Sequence, residues 1–522
     1  MLFNSYPFLL GFFPVVLGAY FLAARFGDRA RMTVILAASL FFYGWWDVRF
    51  LALLLGSILA NFGLSGRLAG AVARSDERWA NRWIALGVTL NLLVLGIFKY
   101  AHFFVVNLNA IAGTDFNLIA IVLPLGISFF TFEQIAFLVD IRRGQIFRAD
   151  LLKFALFVSF FPRLVAGPIL RYSEIEPQLN FGTRARPMGS DVAGGLSIFF
   201  IGLFKKVFLA DGIAPYAASV FGAAATGQPV DFLIAWGGVL AYAAQLYFDF
   251  SGYSDMAIGA ARCFGIRFPT NFASPYKATS IVEFWRCWHI TLSRFLRDYL
   301  YIPLGGSRHG GKLRRYINLM ITMLLGGLWH GANWTFVCWG GLHGLYLMIN
   351  HGWSGIAARS VALTRMRRTR SFALAAWALT FLSVVVAWVF FRAPSFAAAL
   401  DLLAAMSGAH GIVIPSGLAF ALRSEHDFLV RIGVTFADTS GSQLIETYLW
   451  VTALLGLAFL APNTQQIFAR LGPVLEMPEQ PDTQLRRLAW SPSAGWAVAT
   501  GIIASIGIMS VTRLSEFLYW QF

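Results

Sequence analysis

Apolar residues in this chain come in long runs separated by short polar or basic segments, and the runs do not alternate residue by residue. The first run, Tyr6 to Ala24, is close to the ~20 residues a helix needs to cross a bilayer, and Arg25, Arg29 and Arg31 follow it. Further spans are predicted over Met32–Trp46, Phe50–Leu64 and Trp83–Phe98, with Arg67, Arg74, Arg78 and Arg82 between the last two. A longer run from Leu118 to Val139 leads into Arg142, Arg143, Arg148 and Lys153. Continuous apolar runs without period-two alternation predict helices, not the strands of a membrane barrel.

The middle is less regular. Lys153 to Leu170 is apolar but carries Pro162, Arg163, Gly167 and Pro168. An arginine there is costly against lipid, so the segment is expected to be re-entrant or buried in protein. Ala193–Ala210 is interrupted by Lys205 and Lys206, and Phe232–Phe248 runs into the polar cluster Gln245, Asp249, Ser251, Ser254 and Asp255. Next, Trp285, Trp288, His289, Leu292, Leu296 and Tyr299 recur at helical spacing, opposite Glu283, Arg286, Ser293, Arg294, Arg297 and Asp298. That pattern predicts one amphipathic helix at or through an interface, with Arg294 and Asp298 as an i,i+4 pair.

Tyr316–Leu328 and Trp334–Ile349 predict a hairpin with WHGAN at its turn. A basic loop (Arg359, Arg365, Arg367, Arg368, Arg370), a span over Phe372–Phe391, a polar insertion over about 393–446 and two spans, Tyr448–Leu460 and Trp496–Ser510, complete the chain. The expected fold class is an all-α polytopic membrane protein of roughly 11–13 helices plus re-entrant or interfacial segments. It is read as a single domain over 1–522: N-terminal helices 1–117, a core over 118–350 and C-terminal helices 351–522.

Composition agrees. Hydrophobic residues are 58% of the chain, charged residues 13%, and the mean hydropathy is +0.65, which excludes an ordinary soluble domain. The net charge of +15 would suggest nucleic acid in a soluble protein, but here the basic residues cluster in alternate loops. By the positive-inside rule those loops face the cytoplasm and the N-terminus faces outward, so the lipid bilayer and not nucleic acid is the expected partner. Cys263, Cys287 and Cys338 form no C-x-x-C pair, and no His, Cys and Asp spacing suggests a metal. The N-terminus lacks a basic n-region and reads as a retained span. No Walker or G-x-S-x-G motif has a proper context.

Candidate chemistry concentrates in Ser280–Asn350. His330 stands in LLGGLWHGANW, where an apolar setting favours the neutral imidazole that a general base needs. Asn333, Trp329 and Trp334 are nearby groups that could orient it or donate to an oxyanion. A buried histidine bonded to a backbone carbonyl accounts for the same residue equally well. For His289, taken by itself, packing in an anchor helix is the better account. Arg308, Lys312, Arg314 and Arg315, among Gly305, Gly306, Gly310 and Gly311, could grip phosphates or form an ordinary cytoplasmic loop. Arg163 needs a buried partner, for which Asp249, Asp255 and Glu133 are candidates. A transporter lined by Arg163 and Asp249 is the alternative from a different class.

The segments LPLGISFFTFEQIAFLVD, FFPRLVAGPILRYSEIEPQL, QLYFDFSGYSDMAIG, FWRCWHITLSRFLRDYLYIPLGGSR and GGLWHGANWTFVCWGGLHG resemble the membrane-bound O-acyltransferase family, most of all its bacterial alginate O-acetylation branch. WVFFRAPSFAAAL, LAPNTQQIF and EFLYWQF also fit, so the resemblance covers nearly the whole chain in order. It implies a helical core with a central tunnel in which an acyl group passes from a thioester to a hydroxyl. It also implies a catalytic role for His330, with His289 as the second family histidine. No bound cofactor is implied; acetyl-CoA or another acyl thioester is the donor substrate. The expected setting is the bacterial inner membrane with a periplasmic N-terminus, and the expected partners are a periplasmic SGNH-type O-acetyltransferase and a polysaccharide biosynthesis complex. Transfer of D-alanyl or another acyl group, as in the more distant teichoic acid relatives, is the alternative within the family.

Overall fold

The computed structural model describes residues 1–118, 121–181, 189–307, 311–419, 422, 424–438, 441–476, 488–511 and 518. The architecture is helical, as the apolar runs predict. Among the described residues, seven helices are long and apolar enough to cross a membrane: Pro7–Phe26, Val48–Ala73, Glu77–Ala112, Gly189–Ala225, Phe232–Cys263, Arg370–Arg392 and Ser442–Leu460. The protein is therefore a multi-pass membrane protein. The expected insertion holds a helix, Phe396–Met406, and two short parallel strands, β1 (Ile412–Pro415) and β2 (Val434–Ala437), with Ile412 opposite Val434.

The centre is the pair Gly189–Ala225 and Phe232–Cys263, the latter buried along most of its 32 residues. Asp231 starts it by accepting from the backbone N–H groups of Leu233 and Ile234. The two helices approach through glycines. A Cβ on Gly202 would lie 2.5 Å from the Gly252 carbonyl oxygen, and one on Gly259 would lie 2.5 Å from that of Gly195. In lipid no hydrophobic force separates helix from solvent, so close backbone packing at small residues carries such pairs.

Three expectations change. The run Leu118–Val139 is not one span: the helix begins at Ile127, after Gly126 in the left-handed region at φ 68°, and runs to Arg142. The polar cluster after Phe248 does not end its helix. Asp249 and Asp255 remain helical and buried because Lys206 and Lys205 meet them at 2.6 and 2.7 Å, and Lys206 also meets Asp211 at 2.8 Å. A buried charge persists where an opposite charge and hydrogen bonds satisfy it. Arg163 pairs with Glu133, and not with either aspartate. It lies 2% exposed in the buried segment formed by the helices Leu151–Ser159 and Phe161–Leu164, which makes the expected protein-buried passage. The transporter reading loses its motivation, since Arg163 and Asp249 belong to separate ion pairs.

The third change concerns the amphipathic stretch. It forms two short helices, Ile281–Cys287 and Ile290–Leu296, broken at Trp288 and His289. Arg294 pairs with Glu174, and Asp298 pairs with Arg171 and Arg297, so the expected i,i+4 pair does not form.

Candidate active site

His289 sits at the break with φ 42° and ψ 54°, a left-handed conformation uncommon outside glycine. Backbone bonds from the loop before it hold the break open. Ala273 N–H donates to the Cys287 carbonyl at 2.9 Å, and Ile290 N–H donates to that of Asn271 at 3.0 Å. Helical periodicity could not register this, because the apolar residues keep their spacing across the interruption. The result is a fully buried imidazole, 0% exposed, on the residue that precedes the second short helix, and it does not pack along the face of a single one. Strained backbone of this kind is held only where the surroundings over-determine it.

The surroundings also set the tautomer of His289. Ile169 N–H donates to Thr291 Oγ1 at 3.0 Å, so the Thr291 hydroxyl donates onward to Asn271 Oδ1 at 2.9 Å. Asn271 Nδ2 donates to Ser254 Oγ at 3.1 Å. Oδ1 can only accept, and it lies 3.1 Å from His289 Nδ1. The proton is therefore on Nδ1, and Nε2 keeps its lone pair. The Arg163–Glu133 pair braces this network from below, since Glu133 Oε1 also accepts from Leu170 N–H at 3.2 Å, one residue beyond Ile169.

His330 is the last residue of the helix Gly311–His330, and the predicted hairpin continues in Trp334–Ala357. The two helices meet at glycines: a Cβ on Gly327 would lie 3.2 Å from the Gly340 Cα. His330 is 4% exposed, with Trp329 and Trp339 each 5.0 Å and Phe391 5.2 Å from its ring, centroid to centroid. The fold brings its ring to 6.5 Å from that of His289. Trp329 belongs to the same compartment, 6.2 Å from His289 and stacked 5.3 Å from Phe132.

The other expected site residues do not gather there. Asn333 caps the second hairpin helix, accepting from Thr335 N–H at 3.0 Å and donating to the Pro394 carbonyl at 3.2 Å. Both ends of its amide are thus occupied away from His330, as expected of an N-cap. Trp334 is 54% exposed and donates its indole N–H to Asn107 at 2.8 Å. Arg308 lies outside the described residues, as does Gly310. Lys312 and Arg314 are exposed at the start of the first hairpin helix, where Arg314 donates to the Leu304 carbonyl at 3.4 Å. Arg315 lies 2.8 Å from His351 Nδ1. At ~1.5 Å per residue this basic turn is about 24 Å along the helix from His330.

Several residues of the compartment were not anticipated from sequence. Asn271 left no trace, being a polar residue in a loop. Lys99 did leave one, because a lysine inside the apolar helix Glu77–Ala112 is costly and by default suggests function. Its ammonium reaches the Trp329 carbonyl at 2.5 Å. His343, in the helix Trp334–Ala357, is 0% exposed and accepts from Trp285 Nε1 at 3.3 Å. Beside the core, Asp298 is drawn upward by partial burial. The hydrogen bonds of Arg297 and Arg171 outweigh this and hold its carboxyl below the usual range, so it is a carboxylate at neutral pH. Among the described residues no group of three or more His, Cys, Asp or Glu is placed to hold a metal ion.

Residues 142–392 match the family described as MBOAT, membrane-bound O-acyltransferase family. The chain is 46% identical over 413 residues to the probable alginate O-acetylase AlgI of Pseudomonas aeruginosa, covering 78% of this chain and 75% of that protein. It is 36% identical to the peptidoglycan O-acetyltransferase of Helicobacter pylori, over 100% of this chain and 98% of that one. A teichoic acid D-alanyltransferase of Streptococcus thermophilus is 29% identical over 44% of this chain and 57% of its own length.

Proposed function

The chain belongs to the membrane-bound O-acyltransferase family, and from that premise we propose that it passes acetyl groups from a cytoplasmic thioester across the bacterial inner membrane for O-acetylation of an alginate-like exopolysaccharide or a cell-wall polysaccharide. The names of the relatives that match most of the chain support the acetyl group and the polysaccharide. The observation that carries the chemistry is the pair of buried imidazoles 6.5 Å apart.

In this reading a hydroxyl oxygen attacks the thioester carbonyl carbon while His330 takes the hydroxyl proton. The tetrahedral intermediate collapses, the C–S bond breaks, and His330 returns the proton to the thiolate, so atoms and charge balance. His289 presents an acceptor, Nε2, beside a ring that becomes cationic in the transition state, and so stabilises that cation electrostatically. The wall formed by Trp329, Trp339, Phe391 and Phe132 keeps water from the thioester. Acetyl-coenzyme A is the proposed donor, with Lys312, Arg314 and Arg315 holding its phosphates on the cytoplasmic side. An SGNH-type transferase on the periplasmic side, within a polysaccharide biosynthesis complex, is the proposed recipient.

The test is a mass spectrum of surface polysaccharide from cells with wild-type protein, with none, and with His330→Ala. Acetyl groups should be present only with the wild type. Equal acetylation in all three would remove the proposal.

A further inference from the structure

The last turn of a helix leaves its carbonyl oxygens without intrahelical partners and carries a partial negative charge. At the end of Gly311–His330 these oxygens are taken by two consecutive side chains of another helix. Tyr100 Oη donates to the Leu328 carbonyl at 2.9 Å. Lys99 Nζ donates to the Trp329 carbonyl at 2.5 Å and to that of His330 at 3.3 Å, with Ser128 Oγ at 3.5 Å. Three successive carbonyls, the last belonging to His330 itself, are thus held from outside.

Adjacent residues of a regular helix point about 100° apart and do not converge on one target. Here Gly96–Tyr100 forms a π-helical segment inside the helix Glu77–Ala112. Such widened turns occur mostly as single bulges, and frequently at functional sites. The lysine also lacks the usual reason for a membrane cation, since among the described residues no carboxylate lies within ion-pairing distance of it. The other lysines of the membrane helices Gly189–Ala225, Lys205 and Lys206, both have one. Lys99 is committed instead to the end of the helix that carries His330.

We propose that Lys99 and Tyr100 are positioning residues, a two-point latch that fixes the main chain of His330 and thereby the reach of its ring toward the reacting hydroxyl. The proposal rests on the acyl-transfer reading above. A group acting this way alters the geometry of the proton transfer and leaves donor binding alone, so its removal appears in turnover and not in KM.

The experiment uses inverted membrane vesicles holding the full chain in its host, supplied with varied acetyl-coenzyme A. Thiol release and polymer acetylation are normalised to folded protein. Lys99→Met should lower turnover about tenfold or more with the donor KM within about twofold of wild type, and Lys99→Arg should recover much of it. Tyr100→Phe should lower turnover about threefold, and the double variant should be little worse than Lys99→Met, because both act on one helix end. Wild-type turnover per folded molecule in Lys99→Met or in Tyr100→Phe overturns the latch, as does a loss confined to protein level or KM. Where Lys99→Met does not fold, Tyr100→Phe and Lys99→Arg decide in the same terms. His330→Ala in the same vesicles separates the two readings, since wild-type activity there defeats the acyl-transfer mechanism and not the latch alone.

Discussion

The imidazoles of His289 and His330 lie 6.5 Å apart with their planes at 61°, although 40 residues separate them in sequence. One is placed by a break in a helix and the other by a helix end, so each sits where backbone geometry is fixed by neighbours. Replacing His330 by Ala should abolish polymer acetylation, a loss of about 10²–10⁴ if it is the base. His289→Ala should fall short of that, because it removes a stabilising acceptor and not the base itself. Single-turnover acetyl transfer at matched protein levels ranks the two, and a greater loss in His289→Ala would reverse their roles.

Asn271 matters through its acceptor oxygen. Asn271→Leu leaves the Nδ1–H of His289 and the Thr291 hydroxyl without it, at a cost of about 1–3 kcal/mol for each buried group. It also frees the imidazole to take the other tautomer, for which a drop in turnover of about 10²-fold is expected. Asn271→Asp keeps an acceptor at the same place and should stay within about tenfold of wild type. Turnover of the two variants at equal folded protein checks the tautomer argument, and equal turnover would contradict it.

Arg163 and Glu133 form a pair in which both side chains are 2% exposed. Arg163→Met leaves a carboxylate buried without its counter-charge and should destabilise by about 3–5 kcal/mol. Pairing it with Glu133→Gln removes both charges and should recover folded protein relative to either single change. Thermal unfolding in detergent reads this directly. The reverse order of stabilities would mean that the carboxylate finds another partner.

Replacing Arg314 and Arg315 together by Ala tests the donor grip. The KM for acetyl-coenzyme A should rise about tenfold or more, as for loss of charge-assisted hydrogen bonds, with turnover at saturation unchanged. His351→Ala serves as the control, because Arg315 touches that ring. An unchanged donor KM would leave these as ordinary basic residues in the first turn of the helix Gly311–His330.

The parts of this protein legible in its sequence are those governed by local rules. Apolar length sets the membrane helices, since a backbone in lipid must satisfy its hydrogen bonds within one segment. WHGAN marks the hairpin turn because a glycine and an Asn cap are turn chemistry on their own. His330 stood out because a histidine inside an apolar hairpin needs a reason. What the sequence could not supply is whatever depends on a partner far along the chain. The break at His289 is made by backbone bonds from residues 271–273, and helical periodicity reads straight through it. The choice of Glu133 for Arg163, of Asp249 for Lys206, and of the carbonyls of residues 328–330 for Lys99 and Tyr100 rests on contacts between helices. Asn333 shows the converse, for its nearness to His330 in sequence suggested a shared site, and its cap geometry turns it away. Local propensity determines which segments enter the membrane. Only packing decides which buried polar groups meet, because each must find its partner across the helix interfaces once water is gone.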